Sequence, residues 1–194
     1  MLAAGLGVRM GGDAPKPLLE LAGRPLLAFA IEAVQHSALQ PVLVVVSDDR
    51  VAQCVPHGVT VVRNVAPERG IASSLQCALR TLDSDPDVEG VVVGLADQPL
   101  VGADAYRRLA AAYDDGARLA VATYGGVRGN PVLVGREFWR EALALSGDEG
   151  ARVLLRRHDV AEVPCDETGD PTDIDTPADL IDVEARWRSQ TASE

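Results

Sequence analysis

The sequence predicts one layered α/β domain with a mostly parallel central sheet. Short apolar runs of strand length alternate with longer segments of helical period, which is typical of this fold class. The runs are rich in β-branched residues and lack polar–apolar alternation, as in strands buried on both faces. With 194 residues, 47% of them hydrophobic, the chain can build one sizeable core. We expect the domain to span residues 1–188 and the polar residues 189–194 to form a tail.

Each apolar run is expected to form a strand, after a short first strand within Met1–Ala4. These strands are Pro41–Ser47, Val59–Arg63, Gly90–Asp97, Arg118–Thr123 and Val160–Cys165. The segments between them are expected to be helical. These helices are Pro25–Ser37, Asp49–Cys54, Ile71–Leu82, Gly102–Asp114, Arg136–Leu145, Glu149–Arg157 and Thr176–Arg188.

Composition excludes several classes of function. The net charge is −11, so the overall field of the protein repels nucleic acid. No apolar run approaches the ~20 residues of a membrane span, and glycines occupy the place of a signal peptide's apolar stretch. Cys54, Cys77 and Cys165 are odd in number and far apart, which fits neither a disulfide framework nor a zinc site. We therefore expect a cytoplasmic protein that binds neither membranes nor nucleic acid.

The chain opens with a glycine-rich loop, LAAGLGVRMGGDAPKPLL, at Leu2–Leu19. It lacks the Gly-Lys-Ser/Thr of a P-loop. Its glycine spacing is one residue too long for a dinucleotide-binding fingerprint, and Pro15 and Pro17 break the helix that should follow. Free backbone N–H groups together with Arg9 and Lys16 suit a triphosphate, because amides bind its oxygens and cations neutralise its charge. Lys16 is the only lysine in an arginine-rich chain, which is consistent with a compact charge being required there.

An acidic pair is expected opposite this loop. Asp97 ends an apolar strand, at the sheet edge where open α/β folds bind ligands. Mg²⁺ prefers few carboxylates together with waters and phosphate oxygens, so Asp97 is a candidate ligand. A second acid is available in Asp173-Ile174-Asp175-Thr176-Pro177, where Asp173 or Asp175 could face the metal. Either Asp175 or Thr176 could instead cap the helix that Pro177 begins.

Several motifs, in the same order along the chain, resemble those of the MobA-like NTP transferase family. The opening loop continues as KPLL-x-L-x-GRPLL. The other motifs are GIASSLQCAL (Gly70–Leu79), GLADQPLV (Gly94–Val101), RGNPVLVGREFW (Arg128–Trp139), GDEGAR (Gly147–Arg152) and DIDTPADL (Asp173–Leu180). The resemblance implies a three-layer α/β/α fold of the nucleotide-diphospho-sugar-transferase-like (Rossmann-like) type. It also implies that Asp175, directly before Thr-Pro, is the second metal ligand beside Asp97, with Asp173 as the reserve candidate. We expect Mg²⁺, with Mn²⁺ as the alternative ion.

The resemblance further implies a nucleotidyltransferase. A phosphate oxygen of the acceptor would attack the α-phosphate of an NTP and release pyrophosphate, a reaction that needs positioning and electrostatics rather than a covalent nucleophile. Lys16, Arg9 and Asp97 are the candidate catalytic residues, the two cations stabilising developing charge. The expected nucleotide-binding residues are Leu2, Ala3, Ala4, Gly5, Gly7, Arg9, Lys16, Ser73, Ser74 and Asp97. Arg128 and Asn130 are the candidates for binding the acceptor's phosphate.

Finer features of the same motifs bear on which nucleotide base and which acceptor the protein uses. LAAG together with G-x-x-SSL is similar to cytidylyltransferases that load CMP onto molybdopterin, so we expect CTP and molybdopterin, with a molybdoenzyme as a candidate partner. Asn130 replaces a common histidine and Ala72 a common glycine of the family, which leaves the acceptor open. The alternatives are GTP with molybdopterin, GTP with phospholactate or phosphoenolpyruvate, and a non-catalytic nucleotide-binding chaperone of a molybdoenzyme. The loop spacing opposes an NAD-dependent oxidoreductase.

Overall fold

The computed structural model describes residues 1–5 and 14–191. The strands are β1 (Leu2–Ala3), β2 (Glu20–Leu21), β3 (Arg24–Pro25), β4 (Leu43–Val46), β5 (Thr60–Arg63), β6 (Gly90–Val93), β7 (Leu119–Tyr124), β8 (Val127–Gly135) and β9 (Ala161–Pro164). The α-helices are α1 (Leu26–His36), α2 (Asp49–Gln53), α3 (Ile71–Leu82), α4 (Ala103–Asp114), α5 (Trp139–Ala142), α6 (Arg152–Arg157) and α7 (Pro177–Thr191). Short 3₁₀ turns lie at Lys16–Leu18, Pro67–Arg69, Arg136–Phe138 and Gly147–Glu149.

The central sheet has two parts that meet at β1. Among the described residues, one part is three-stranded in the order β1-β4-β5 and fully parallel, and the other is four-stranded in the order β6-β8-β7-β9. A parallel bridge from Leu2 to Leu95 joins them. β8 runs antiparallel to both its neighbours, whereas β7 and β9 are parallel. β4 pairs with one side of β1 and the continuation of β6 lies on its other side, which is the arrangement that opens a ligand crevice in α/β sheets.

Helices cover both faces of the sheet, so the three-layer fold is confirmed. On one face, α3 packs Leu75 and Leu79 against Val45 of β4 and Val132 of β8. On the other face, apolar residues of α1, α2 and α4 pack against the opposite sides of the same strands. Val44 and Val46 face this second layer while Val45 faces the first, which explains why the β4 sequence shows no polar–apolar alternation.

The predicted strands β4, β5, β6, β7 and β9 and the short β1 are confirmed in position. β8 and the small β2–β3 hairpin were not expected from the sequence. β8 contains Gly129 and Pro131, which are unfavourable in strands and hide its pattern. The register between β7 and β8 shifts after Val121, where β8 has more residues than β7, so β8 bulges around Asn130.

Three predicted helix boundaries were wrong. The segment Arg136–Leu145 divides into a 3₁₀ turn and the four-residue α5, and Glu149–Arg157 is α-helical only from Arg152. Gly147 and Gly150 both have positive φ, which favours a turn over an early start of α6. At the other end of the chain, α7 continues to Thr191, three residues into the segment expected to be a tail, and residues 192–194 lie outside the described part.

Two further features concern cavities and membranes. A cavity of about 310 Å³ lies between β4 and β6 beside Met1, lined by apolar residues of both strands and by Tyr106 and Tyr113 of α4. Within residues 1–5 and 14–191, no helix combines the length and apolar composition needed to cross a bilayer.

Gly94 sets the packing of the segment that leads to Asp97, and a side chain there is expected to destabilise the fold. A Cβ at Gly94 would overlap the hydroxyl of Tyr106 and lie 2.9 Å from its Cζ, and Tyr106 is buried in α4. Gly94→Ala should lower the free energy of unfolding by about 1–3 kcal/mol through overpacking. Urea denaturation measures this loss. In a Tyr106→Phe background the loss should be smaller, because the closest atom is gone; an equal loss in both backgrounds contradicts this contact as the cause.

Candidate active site

A cleft opens where β1 and β6 end, at the junction of the two parts of the sheet. Its larger compartment has a volume of about 490 Å³. The residues that line it are Leu2, Ala4, Gly5, Lys16, Pro67, Glu68, Gly70, Ile71, Ser74, Leu95, Asp97, Asp148 and Asp175. This is the crevice at the carboxyl ends of the strands that the sequence predicts as the ligand site.

Lys16 joins the two predicted acids. Its Nζ donates hydrogen bonds to Oδ2 of Asp97 at 2.7 Å and to Oδ1 of Asp175 at 2.5 Å. Only 10% of its side chain is exposed. Burial by itself lowers the pKa of Lys16, but the charge of Asp97 and the hydrogen bonds to both carboxylates outweigh burial and raise that pKa above its usual value. The ammonium therefore stays charged between the two acids.

A capping box directs Asp175 towards Lys16. Oδ2 of Asp179 accepts from the backbone N–H of Thr176 at 2.7 Å and from that of Asp175 at 3.0 Å. In return, the Thr176 hydroxyl accepts from the backbone N–H of Asp179 at 3.2 Å. Thr176 is thus the N-cap of α7, Pro177 follows at the first helical position, and the carboxyl of Asp175 is not used for capping. This resolves which of the two residues caps the helix.

The segments that carry Asp97 and Asp175 are also joined directly. The backbone N–H of Ile174 donates to the carbonyl of Asp97 at 2.9 Å, and Nε2 of Gln98 donates to the carbonyl of Pro171 at 2.8 Å. Ile174 is fully buried. Because two crossing hydrogen bonds hold the loops together, the two carboxylates keep a fixed separation.

Asp173 lies near this pair but does not contact Lys16. Although much of the residue is exposed, atoms packed around its carboxyl raise the pKa of Asp173, and the charges of Asp97 and Asp175 raise it further. The charges of Lys16 and Arg152 oppose this rise. Asp175 rather than Asp173 lines the larger compartment.

The two serines of GIASSL have different environments. Nδ2 of Asn64 donates to Oγ of Ser73 at 2.8 Å and to Oγ of Ser74 at 3.0 Å. The Ser73 hydroxyl also donates to the carbonyl of Gly70 at the start of α3, so it does not cap this helix, whose N-cap is Gly70 without a side-chain hydrogen bond. Ser74 lines the cleft and Ser73 does not. Asn64 was missed by the sequence analysis, because a lone asparagine after a strand carries no recognisable signal.

The other predicted residues divide into three groups. Leu2, Ala4 and Gly5 line the larger compartment, whereas Ala3 packs against α1 in the core. Gly7 and Arg9 lie outside the described residues. Asn130 lines a smaller adjoining compartment, but Arg128 lines neither: its Nε donates to Glu162 at 2.8 Å and its Nη1 to the carbonyl of Leu155 at 3.2 Å.

The donor set at Asp97 and Asp175 fits a divalent cation of the Mg²⁺ type. One oxygen of each carboxylate already contacts a cation, the Lys16 ammonium, at 2.7 Å for Asp97 and 2.5 Å for Asp175. Mg²⁺, Mn²⁺ and Ca²⁺ all favour such hard oxygen ligands. Within residues 1–5 and 14–191 no group of three or more His, Cys, Asp or Glu side chains forms a metal cage. A site with two carboxylates suits an ion that takes its remaining ligands from water and phosphates.

A three-layer α/β/α fold with one cation and two acids in a cleft at the switch point of its sheet is typical of α/β proteins that bind phosphate groups. The family model described as the MobA-like NTP transferase domain matches residues 1–163. The chain belongs to this family of nucleotidyltransferases.

Known relatives agree with this assignment. The chain is 34% identical over 129 residues to the bifunctional protein GlmU of Bordetella petrii, covering 60% of this chain and 26% of that protein. It is 39% identical over 118 residues to 2-C-methyl-D-erythritol 4-phosphate cytidylyltransferase of Frankia casuarinae, covering 59% of this chain and 42% of the relative. The chain therefore spans less than half the length of these curated relatives.

The fold is also similar to a solved structure with a metal. The crystal structure of Rv0371C from Mycobacterium tuberculosis H37Rv in complex with manganese superposes with a TM-score of 0.77 at 26% identity. The match covers 95% of both chains.

Removal of the ammonium should leave the acidic cluster uncompensated. In EDTA, Lys16→Met is expected to lower the free energy of unfolding by about 1–3 kcal/mol, because partly buried carboxylates lose their charged partner. Added MgCl₂ should raise the melting temperature of this variant more than that of the wild type, because a divalent ion then compensates the same carboxylates. Differential scanning fluorimetry measures both effects.

Arg24→Met is the matched control, because Arg24 forms an exposed ion pair with Glu32. Its melting temperature should respond to MgCl₂ as the wild type does. Equal responses of Lys16→Met and Arg24→Met would contradict a shared cation site at Asp97 and Asp175.

Proposed function

We propose that the protein transfers CMP from CTP to a phosphate group of a phosphorylated acceptor, molybdopterin, and releases pyrophosphate. The observation that carries this proposal is the contact of Lys16 with Asp97 and Asp175 at one end of a cleft large enough for a nucleotide. Membership of the MobA-like NTP transferase family supports the reaction class.

The described residues support a division of labour within the larger compartment. The backbone at Ala4 and Gly5 would bind phosphate oxygens, and Ser74, which lines the same compartment, would contact the ribose or base through its hydroxyl. Asp97 and Asp175 would hold Mg²⁺, which when bound would neutralise charge on the phosphates. The ammonium of Lys16 would then be available to the phosphate oxygens that gain charge as the bond to pyrophosphate breaks.

The reaction needs no covalent enzyme intermediate. A phosphate oxygen of the acceptor forms a bond to the α-phosphorus, and the bond from that phosphorus to the bridging oxygen breaks. Pyrophosphate leaves with the bridging oxygen and its electron pair. Alignment of the two substrates is therefore the main task of the protein, and Arg9 is the second cation proposed for the leaving group.

Two observations support CTP. Of the small residues Ala3 and Ala4 in the LAAG of the opening motif, Ala4 lines the larger compartment, where it leaves less room for a purine than a glycine would. The similarity to a relative named as a cytidylyltransferase points in the same direction. Molybdopterin is proposed as the acceptor from the combination of LAAG with G-x-x-SSL, and a molybdoenzyme as the partner that receives the product.

Pyrophosphate release tests the reaction and the base. Each of the four NTPs is incubated with MgCl₂ and the protein, with molybdopterin or phosphoenolpyruvate as acceptor. We expect release from CTP with molybdopterin. Release from GTP instead would overturn the choice of base, release with phosphoenolpyruvate alone would overturn the acceptor, and CTP binding without any release would favour a chaperone.

Loss of the Asp97 charge should abolish most of the turnover. Asp97→Asn is expected to lower kcat about 10²-fold or more, because one carboxylate of the proposed metal site becomes neutral. Asp104→Asn is the matched control, since Asp104 pairs with Arg107 on the exposed side of α4. Pyrophosphate release measures both, and circular dichroism checks the fold. Unchanged turnover in Asp97→Asn would remove this residue from the reaction.

A further inference from the structure

Two chain segments that lead to the candidate metal ligands run side by side. Residues 168–174, the strap, lie antiparallel to residues 97–102, and Val101 and Gly169 form the bridge between them. Backbone hydrogen bonds of 2.8 and 3.0 Å flank this bridge. A Cβ at Gly169 would overlap the carbonyl of Leu100, so the two backbones are in close contact. The strap therefore has one defined position against residues 97–102.

The contact between the two segments continues through a side chain. Pro99 and Pro171 have no N–H, so neither can donate a backbone hydrogen bond beyond the bridge. Nε2 of Gln98 instead donates to the carbonyl of Pro171 at 2.8 Å. Gln98 directly follows Asp97, and Pro171 lies four positions before Asp175. This hydrogen bond therefore joins the two segments near the point where each presents its carboxylate.

The burial of Gln98 is costly for the fold. The residue is 5% exposed, and its Oε1 is buried without a hydrogen-bond partner among the described residues. The amide cannot be reversed, because Oε1 would then face the carbonyl oxygen of Pro171. A buried acceptor without a partner costs free energy that the bond from Nε2 offsets only in part. Stability therefore gives glutamine little advantage here over an apolar side chain of the same length.

We propose that Gln98 is a positioning residue for the divalent ion: its amide holds the loop of Asp97 against the strap, so that the carboxylates of Asp97 and Asp175 are spaced to bind one ion together. The inference rests on the proposed function, which assigns that ion to the two carboxylates. Gln98 does not line the cleft, so it acts through these ligands rather than on a substrate. Mg²⁺ demands near-ideal octahedral geometry and tolerates little change in the spacing of its ligands.

Gln76 offers a matched comparison within the same chain. It is 7% exposed, and its Nε2 donates to the carbonyls of Leu143 and Leu145 at 3.1 and 2.8 Å. Like Gln98, it is a buried glutamine that joins its own segment to a distant backbone. It joins α3 to the segment after α5, however, and neither Gln76 nor its partners line the larger compartment. Loss of its amide should loosen the fold without changing the spacing of the two carboxylates.

Binding of Mn²⁺ alone tests the proposal. The EPR signal of free Mn²⁺ is titrated with the nucleotide-free wild type, Gln98→Met and Gln76→Met. Because the carboxylates lose their fixed spacing, Gln98→Met should raise the Kd for Mn²⁺ about 10–100-fold. Gln76→Met should change this Kd less than about twofold. Urea denaturation in EDTA should show the opposite order, with the larger loss of stability in Gln76→Met, which leaves two carbonyls without their donor.

Turnover separates positioning from chemistry. In Gln98→Met, the MgCl₂ concentration for half-maximal pyrophosphate release should rise about tenfold or more. The kcat at saturating MgCl₂ should stay within about threefold of the wild type, because the bound ion draws the carboxylates together. Gln98→Asn keeps an amide that is one methylene too short to reach the carbonyl of Pro171, so it should behave as Gln98→Met does. It provides the same test if Gln98→Met does not fold.

The other outcomes separate this inference from the proposed function. If Gln98→Met and Gln76→Met bind Mn²⁺ with the same affinity, Gln98 supports the fold without positioning the ligands, and the inference is rejected. If Asp97→Asn binds Mn²⁺ as tightly as the wild type, the proposed metal site itself is rejected. Weaker Mn²⁺ binding in Gln98→Met without turnover of any NTP would uphold the positioning role and reject the proposed transfer.

Discussion

The contact of one ammonium with two carboxylates is the interaction on which the site depends. Lys16 is 81 positions from Asp97 and 159 from Asp175, so the contact joins the opening loop, the end of β6 and the start of α7. Partly buried charges cost free energy unless opposite charges meet them, and leaving one unpaired costs more than never burying it. The three segments are therefore stable together and unfavourable apart. The ion pairs of Lys16 with Asp97 and Asp175 that hold these segments together also place a cation and two acids in the cleft.

The parts of this site that sequence could predict were those marked by local pattern. Asp97 follows an apolar run typical of a buried strand, and Lys16 lies after several glycines and between Pro15 and Pro17, which exclude an α-helix. Asp175 was different, because spacing alone left Asp173, Asp175 and the capping role open, and the resemblance to the family decided it. The deciding physical signal was present as Thr-x-x-Asp from Thr176 to Asp179, a capping box that occupies the threonine and directs Asp175 towards Lys16.

The parts that sequence could not predict depend on contacts between distant segments. β8 bulges at Gly129–Pro131, so the strand pattern fails, and the direction of each side chain along it cannot be inferred from alternation. Arg128 consequently faces β9 while Asn130 faces the cleft. Asp148 lines the larger compartment from a motif that gives no indication of its direction, and the 147–150 turn that carries it packs closely on the start of α3. Neither feature can be inferred from the helix and strand propensities of the residues themselves.

The cleft has a larger and a smaller compartment with a common wall. Leu2, Ile71, Leu95 and Asp148 line both of them, whereas Lys16, Asp97 and Asp175 line only the larger one and Asn130 only the smaller one. In-line attack tolerates only small errors in the distance and angle between substrates. The wall between the compartments is closely packed, since Gly70 has no room for a Cβ against Gly147 and Asp148. A side chain at Gly70 would therefore have to move the 147–150 turn, and with it one wall of both compartments.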